Sequence, residues 1–200
     1  MRTRKMMLEG YAGFGGQSEA YLRAGWDVLR IDNNPLLSDV QNMVIMDLRA
    51  AEPFNLGGGS IEYAHFSPPC TEFSLGFNAP RSKAIRSGKG DEYEPDMTDV
   101  LNSIRIKDAL KPRFWSLENV RGSIKYIEPI LGPPRLIVGP FVYWGNFPLF
   151  DPSGIVVPSK TNLKMSSANP LRPNYRAHIP LPVSEGFHAA MTAQASMLDF

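Results

Sequence analysis

Met6-Met-Leu-Glu-Gly-Tyr-Ala-Gly-Phe-Gly-Gly16 decides how this chain folds. Met6 to Leu8 is a short apolar run that ends at Gly10, and a glycine-rich turn and a helical pattern through Arg23 follow it. Glycines at such a turn let the backbone bend sharply and approach a ligand without Cβ clashes. Trp26-Asp-Val-Leu-Arg-Ile31 is rich in strand formers and stops at Asp32-Asn33-Asn34-Pro35, a strong turn signal. Met43 to Met46 is a further apolar run closed by Asp47, and Ile61 to Ser67 is a fourth strand, ended by Pro68-Pro69. Residues 97–110 carry Val100, Leu101, Ile104 and Leu110 at helical spacing, with Thr98 or Asp96 as a cap. Phe114-Trp-Ser-Leu117 reads as a buried strand ending in Glu118-Asn119, and Phe141-Val-Tyr-Trp144 as one more. Strands that alternate with helices predict an α/β fold with a mostly parallel, Rossmann-like sheet and right-handed crossovers.

That arrangement gathers the polar residues. Asp32, Asp47, Pro69-Cys70 and Glu118 all fall just past strand C-termini, the ligand-binding edge of an open α/β sheet. Asp32 lies about 20 residues beyond the glycine turn, where an acid can bind ribose hydroxyls. The turn is not Gly-x-Gly-x-x-Gly, which points away from a dinucleotide and toward another nucleoside cofactor.

The 200 residues predict one domain, with a cofactor and catalytic core over 1–130 and a reduced, proline-rich part over 131–200. With 21 basic against 20 acidic residues, the net charge of +1 supplies no global attraction to nucleic acid or membrane, so any such surface is a local patch. One candidate is the stretch from Pro152 to Ser184, which holds no acid while Lys160, Lys164, Arg172 and Arg176 add positive charge. The N-terminal residues lack the apolar stretch of a signal peptide, and no run approaches the roughly 18 apolar residues of a membrane span. A single cysteine excludes an internal disulfide and a cysteine-based zinc cluster, and His65, His178 and His188 are too scattered for a metal site. The expectation is therefore no metal and no membrane.

Two residues carry candidate chemistry. Cys70 follows two prolines at the binding edge. A thiol of pKa about 8.5 is only slightly ionised at neutral pH, so a nucleophilic Cys70 needs activation. The alternative is a small buried hydrophobe. Glu118 ends a buried strand, where partial desolvation would raise its pKa and let it donate a proton near neutrality. The alternative is a helix-capping acid before Arg121-Gly122.

Taken together, these pieces resemble the DNA cytosine-C5 methyltransferase family. Tyr11–Gly16 is similar to that family's glycine motif, Ser67-Pro-Pro-Cys70 to its Pro-Cys nucleophile motif, and Glu118-Asn119-Val120 to its Glu-Asn-Val motif. Ile179-Pro-Leu-Pro-Val-Ser-Glu185 resembles the last motif, a Val-Pro-x-Pro segment leading into a helix. The resemblance covers residues 6–122 and then thins. It implies a S-adenosylmethionine-dependent methyltransferase that acts on DNA, with Cys70 and Glu118 catalytic. It also implies that Tyr11, Gly13, Phe14, Gly15, Gly16, Asp32, Asn33, Asp47, Leu48 and Pro69 bind the cofactor. Thr71 to Asp99 would close over the site, with Arg81, Lys83, Arg86 and Lys89 suited to phosphates. Acids from Asp91 onward offer those charges local partners instead.

The departures are specific. Glu9 stands where the family has aspartate, and Thr71 replaces the glutamine after the nucleophile. No glutamine occurs between Gln41 and Gln194, so the Gln-x-Arg-x-Arg motif is absent, with Arg135 and Arg176 as candidates for its charge. Arg176-Ala177 replaces the Gly-Asn before the last motif. Only Pro148 to Tyr175 stands where the family inserts a target-recognition domain. The expectation is short or relaxed sequence specificity, or an unidentified protein partner supplying recognition, in the cytoplasm of a prokaryotic or phage-infected cell. Three rivals remain: methylation of an exocyclic amine, of a free cytosine nucleotide, or a catalytically weak DNA-binding relic.

Overall fold

A computed structural model describes residues 4–56, 61–158, 166 and 168–198. Seven strands form one sheet: β1 (Met6–Gly10), β2 (Asp27–Asp32), β3 (Met43–Ile45), β4 (Ile61–Phe66), β5 (Phe114–Val120), β6 (Leu136–Val138) and β7 (Phe141–Asn146). Their order is β3-β2-β1-β4-β5-β7-β6. The first five strands pair in parallel, while β7 runs antiparallel to both β5 and β6. The expected alternation thus holds, with β6 as an added strand. The glycine turn is longer than its pattern predicts: turns run from Gly13 to Ser18, and helix α1 spans only Glu19–Arg23.

Strand periodicity sorts the core. Met7, Tyr63, Phe114 and Tyr143 point to one face, where they pack with α1 and with α6 (Leu181–Leu198) through Tyr21, Val183, Phe187 and Met191. Leu8, Ala64 and Leu117 point to the other face. There α3 (Thr98–Leu110) supplies Val100 and Ile106, and α4 (Ile124–Leu131) supplies Ile127. Two shorter helices complete the order, α2 (Pro80–Arg86) and α5 (Arg172–Ala177).

Two charged residues break the apolar pattern of adjacent strands. Arg30 in β2 is 2% exposed, as is Glu9 in β1. The Glu9 carboxylate accepts from the backbone N–H groups of Gln17 and Ser18, both at 3.1 Å. Arg30 donates to Ser18 Oγ at 2.8 Å, to the carbonyls of Gln41 and Gly15, and to Glu19 at 3.1 Å. Its Nε stands 3.9 Å from the Glu9 carboxylate. A Cβ at Gly15, whose φ is +75°, would fall 2.2 Å from that Nε, so only glycine fits. Burying both charges is costly unless each is paired and hydrogen-bonded, and here each is. Arg30→Met leaves Glu9 buried without its cation and should lower stability by about 3–5 kcal/mol. Urea unfolding of the two proteins measures this, and a loss under about 1 kcal/mol would contradict the bracing role.

Candidate active site

The loop that opens on Gly10 is held from several sides. Tyr11 adopts φ +55°, an uncommon conformation for a residue with a side chain. Its hydroxyl donates to the Asp99 carboxylate at 3.1 Å and accepts from Asn102 at 3.3 Å. Burial first, with Asp99 beside it, pushes the Tyr11 phenol up to about 12. Arg49 grips the same Asp99 with two bonds, at 2.7 and 2.8 Å. Asp32, at the end of β2, accepts from Gly13 N at 2.9 Å and from Asn34 N at 3.0 Å, one bond on each oxygen. Asp47 accepts from Arg49 N at 2.9 Å and so caps the turn at Leu48–Ala50.

The second half of the site lies just past β4 and on the last residues of β5, which runs on to Val120 and so keeps Glu118 within the strand rather than beyond its end. Ser67 N donates to Gly10 O at 3.1 Å, and Asn119 Nδ2 donates to Pro68 O at 3.0 Å, which fixes the Pro-Pro segment to both neighbouring strands. Cys70 is half-buried, and its carbonyl accepts from Phe73 N and Ser74 N. Glu118 is 8% exposed and pairs across the sheet with Tyr143.

Both halves face one cleft of about 500 Å³. Tyr11, Gly13, Phe14, Gly16, Asp32, Asn33 and Asp47 line it at one end, and Pro69, Cys70 and Glu118 also line it. Gly15 and Leu48 stand behind that lining: Gly15 faces Arg30, and Leu48 packs against Gly10. A separate, shallower depression near Trp26, Val28 and Met43 gathers no comparable set of polar groups.

The basic residues divide. Arg81 is committed to the fold: it donates to Gly122 O at 2.7 Å and lies over the Tyr126 ring, tying α2 to the loop after Glu118. Lys83, Arg86 and Lys89 are exposed, with Arg86 over the Phe77 ring at 4.2 Å. Lys160 and Lys164 lie outside the described residues. Arg172 is half-buried and Arg176 exposed, both on α5. Arg135 donates to Phe147 O, and neither it nor Arg176 is among the residues that line the cleft. Among the described residues, no cluster of His, Cys, Asp or Glu has the makings of a metal site, and no helix is long and apolar enough to cross a membrane.

Two features went unread in the sequence. The proline-broken stretch before α6 covers the glycine loop: Tyr175 packs on Phe14 at 4.5 Å, and Pro170, Pro173 and Asn174 line the cleft. Behind the site runs a chain of buried polar contacts. Gln17 Nε2 donates to Tyr63 at 3.2 Å, Tyr63 meets Ser116 at 2.6 Å, Ser116 meets His65 Nδ1 at 2.7 Å, and His65 Nε2 meets Ser67 Oγ at 2.8 Å. The alternation Tyr63, His65, Ser67 along β4 was the available signal.

No protein-family model and no curated protein matches the chain. Among solved structures, the methyltransferase EhMeth of Entamoeba histolytica aligns with a TM-score of 0.51 at 16% identity, over 72% of this chain and 53% of its own. The chain shares the fold of that methyltransferase. A prophage-encoded E. coli protein assigned as a DNA modification methyltransferase aligns at 18% identity and a TM-score of 0.46, over 71% of this chain and 46% of its own. A TehB-like SAM-dependent methyltransferase of Corynebacterium glutamicum aligns at 17% and 0.40, over 73% of this chain and 82% of its own. The chain spans about half the length of the first two.

The methyltransferase fold here keeps His65 neutral. Burial drives its pKa from the ordinary 6.5 down to about 3. Below 6.5 the unfolded ring takes up a proton that the folded ring refuses, so the contribution of His65 is complete above pH 6.5 and is lost as pH falls toward 3. Burial depresses His178 and His188 in the same direction. Stability should fall by about 1.4 kcal/mol or more between pH 7.5 and 5.5. Urea midpoints at the two values test this, and a flat profile would contradict it.

Proposed function

We propose that this chain transfers a methyl group from S-adenosylmethionine to C5 of cytosine in DNA through a covalent Cys70 adduct. The observation that carries the reading is the convergence of the glycine loop, Asp32, Cys70 and Glu118 on one cleft. The cofactor end fits a nucleoside ligand. Each Asp32 oxygen keeps a lone pair beyond its one backbone bond. A Cβ added at Gly13 would meet only Asn174 Nδ2, at 3.6 Å, so the space beside that backbone is open. Tyr11, Gly13, Phe14, Gly16, Asp32, Asn33, Asp47 and Pro69 would hold the cofactor, with Gly15 and Leu48 shaping their backbone. When bound, it supplies an electrophilic methyl group on a sulfonium.

The remaining work falls to the chain. Cytosine C5 is a poor nucleophile until a thiolate adds at C6. Cys70 makes that bond, while Glu118, protonated, donates to N3 and stabilises the charge that develops on the ring. Once C5 is methylated, loss of its proton restores the double bond and expels Cys70. Lys83, Arg86 and Lys89 contribute phosphate contacts that are blind to sequence, with Lys160, Lys164, Arg172 and Arg176 as further cations, so specificity is short or relaxed. The prophage-encoded structure, by its own assignment a DNA modification methyltransferase, favours DNA over a free nucleotide as substrate.

Cys70→Ala should retain fold and cofactor binding and abolish transfer to C5. DNA carrying 5-fluorocytosine should trap the wild-type protein covalently, because fluorine cannot leave as a proton does. An active enzyme that forms no such adduct points to amine methylation instead. Asp32→Ala removes acceptors at the cofactor end and should weaken S-adenosylmethionine binding by about 1–3 kcal/mol. Calorimetry giving equal affinities for the two proteins overturns that assignment.

A further inference from the structure

The buried chain from Gln17 to Ser67 has only one hydrogen-bonding direction that satisfies its members. Tyr63, His65 and Ser116 are fully buried, so each proton among them needs an acceptor inside the protein. Tyr63 carries one proton. Its oxygen already accepts from Gln17, and Ser116 Oγ is the one acceptor within reach. Tyr63 therefore donates to Ser116. The Ser116 proton then goes to His65 Nδ1, which must be the bare nitrogen of a neutral ring. His65 Nε2 carries the ring proton and donates to Ser67 Oγ. Turning the Gln17 amide over would permit the reverse order. It would also leave a buried NH2 group with neither proton paired, where at present Nε2 donates to Tyr63 and Oε1 lacks a donor. Orphaned buried N–H groups are the rarer and costlier defect.

At the end of the chain, Ser67 accepts from His65 and has its own proton left over. Ser67 lines the cleft together with Cys70 and Glu118. The same cleft has no uncommitted cation among its described lining residues: Arg49 is gripped by Asp99. We propose that Ser67 is a specificity-determining donor, its hydroxyl aimed into the cleft by the Tyr63–Ser116–His65 chain to bind a carbonyl oxygen of the target pyrimidine. His65 is the positioning residue, because its fixed tautomer decides which way Ser67 points its proton. The identity of the acceptor rests on the cytosine reading above; the direction of the chain does not.

The two parts are tested separately. Nitrogen-15 NMR of the histidine rings in the whole protein reads the His65 tautomer, with His65→Asn assigning the signal. The expected result is a proton on Nε2 and none on Nδ1, unchanged between pH 8 and 5.5. A proton on Nδ1 reverses the chain and overturns the proposal. Steady-state methylation of a mixed-sequence duplex then compares Ser67→Ala and Ser67→Thr with wild type. Loss of one donor contact should raise KM for the duplex about tenfold in Ser67→Ala with a smaller change in kcat, and Ser67→Thr should recover most of it. An unchanged KM in Ser67→Ala overturns the donor role even if the tautomer is as expected. A wild-type protein with the Nε2–H tautomer that methylates no cytosine substrate refutes the functional reading and leaves the direction of the chain standing.

Discussion

The buried pair Glu9 and Arg30 holds the glycine loop, and the rest of the site is assembled on that loop. Gln17 and Ser18 close the turn before α1, and their buried backbone N–H groups need acceptors. Glu9 supplies both missing acceptors from the neighbouring strand, at Gln17 and Ser18. A carboxylate so placed is expensive, and burial does raise its pKa. Arg30 offsets that cost by approaching Glu9 while its remaining protons go to Ser18, Gly15, Gln41 and Glu19.

From this brace the fold reaches its far end. Ser184 on α6 donates to Gln17 O at 2.6 Å and accepts from Ala20 N, so the C-terminal helix docks on the turn that Glu9 holds. A Cβ at Gly16 would fall 2.5 Å from Ile179 O, just before α6, so the second of the paired glycines is needed for that approach. A residue near position 180 thus helps set the shape of a loop near position 15. The contact is long in sequence, and the sheet alone would not supply it, because β1 to β5 are complete before α6 begins.

Much of the fold was legible because its signals are local. Short apolar runs closed by Asp32-Asn33-Asn34-Pro35 and by Pro68-Pro69 mark strand ends, and strand ends mark the binding edge. The cleft residues Asp32, Cys70 and Glu118 could be named on that ground alone. What stayed hidden depends on pairing. Arg81 reads as a phosphate-binding cation in the sequence and becomes a clamp only when Gly122, 41 residues away, presents its carbonyl. Arg172 to Tyr175 read as part of a reduced recognition segment, whereas Tyr175 packs on Phe14 and α5 covers the glycine loop. His65 reads in the sequence only as too far from the other histidines for a metal site, and its place in a directional chain required knowing that Ser116 lies beside it on β5.

The Arg81 clamp also constrains how the segment after Cys70 can move. Leu75 and Phe77 are 64% and 75% exposed, so little apolar burial holds that stretch down. Its anchor is instead the hydrogen bond from Arg81 to Gly122, supported by the Tyr126 ring. That bond joins α2 to the turn directly after Glu118-Asn119-Val120, and Asn119 in turn holds Pro68. The Cys70 segment and β5 are thereby fixed to each other on both sides of Cys70. Cys70 and Glu118 are in this way held in mutual register by contacts that do not involve either side chain.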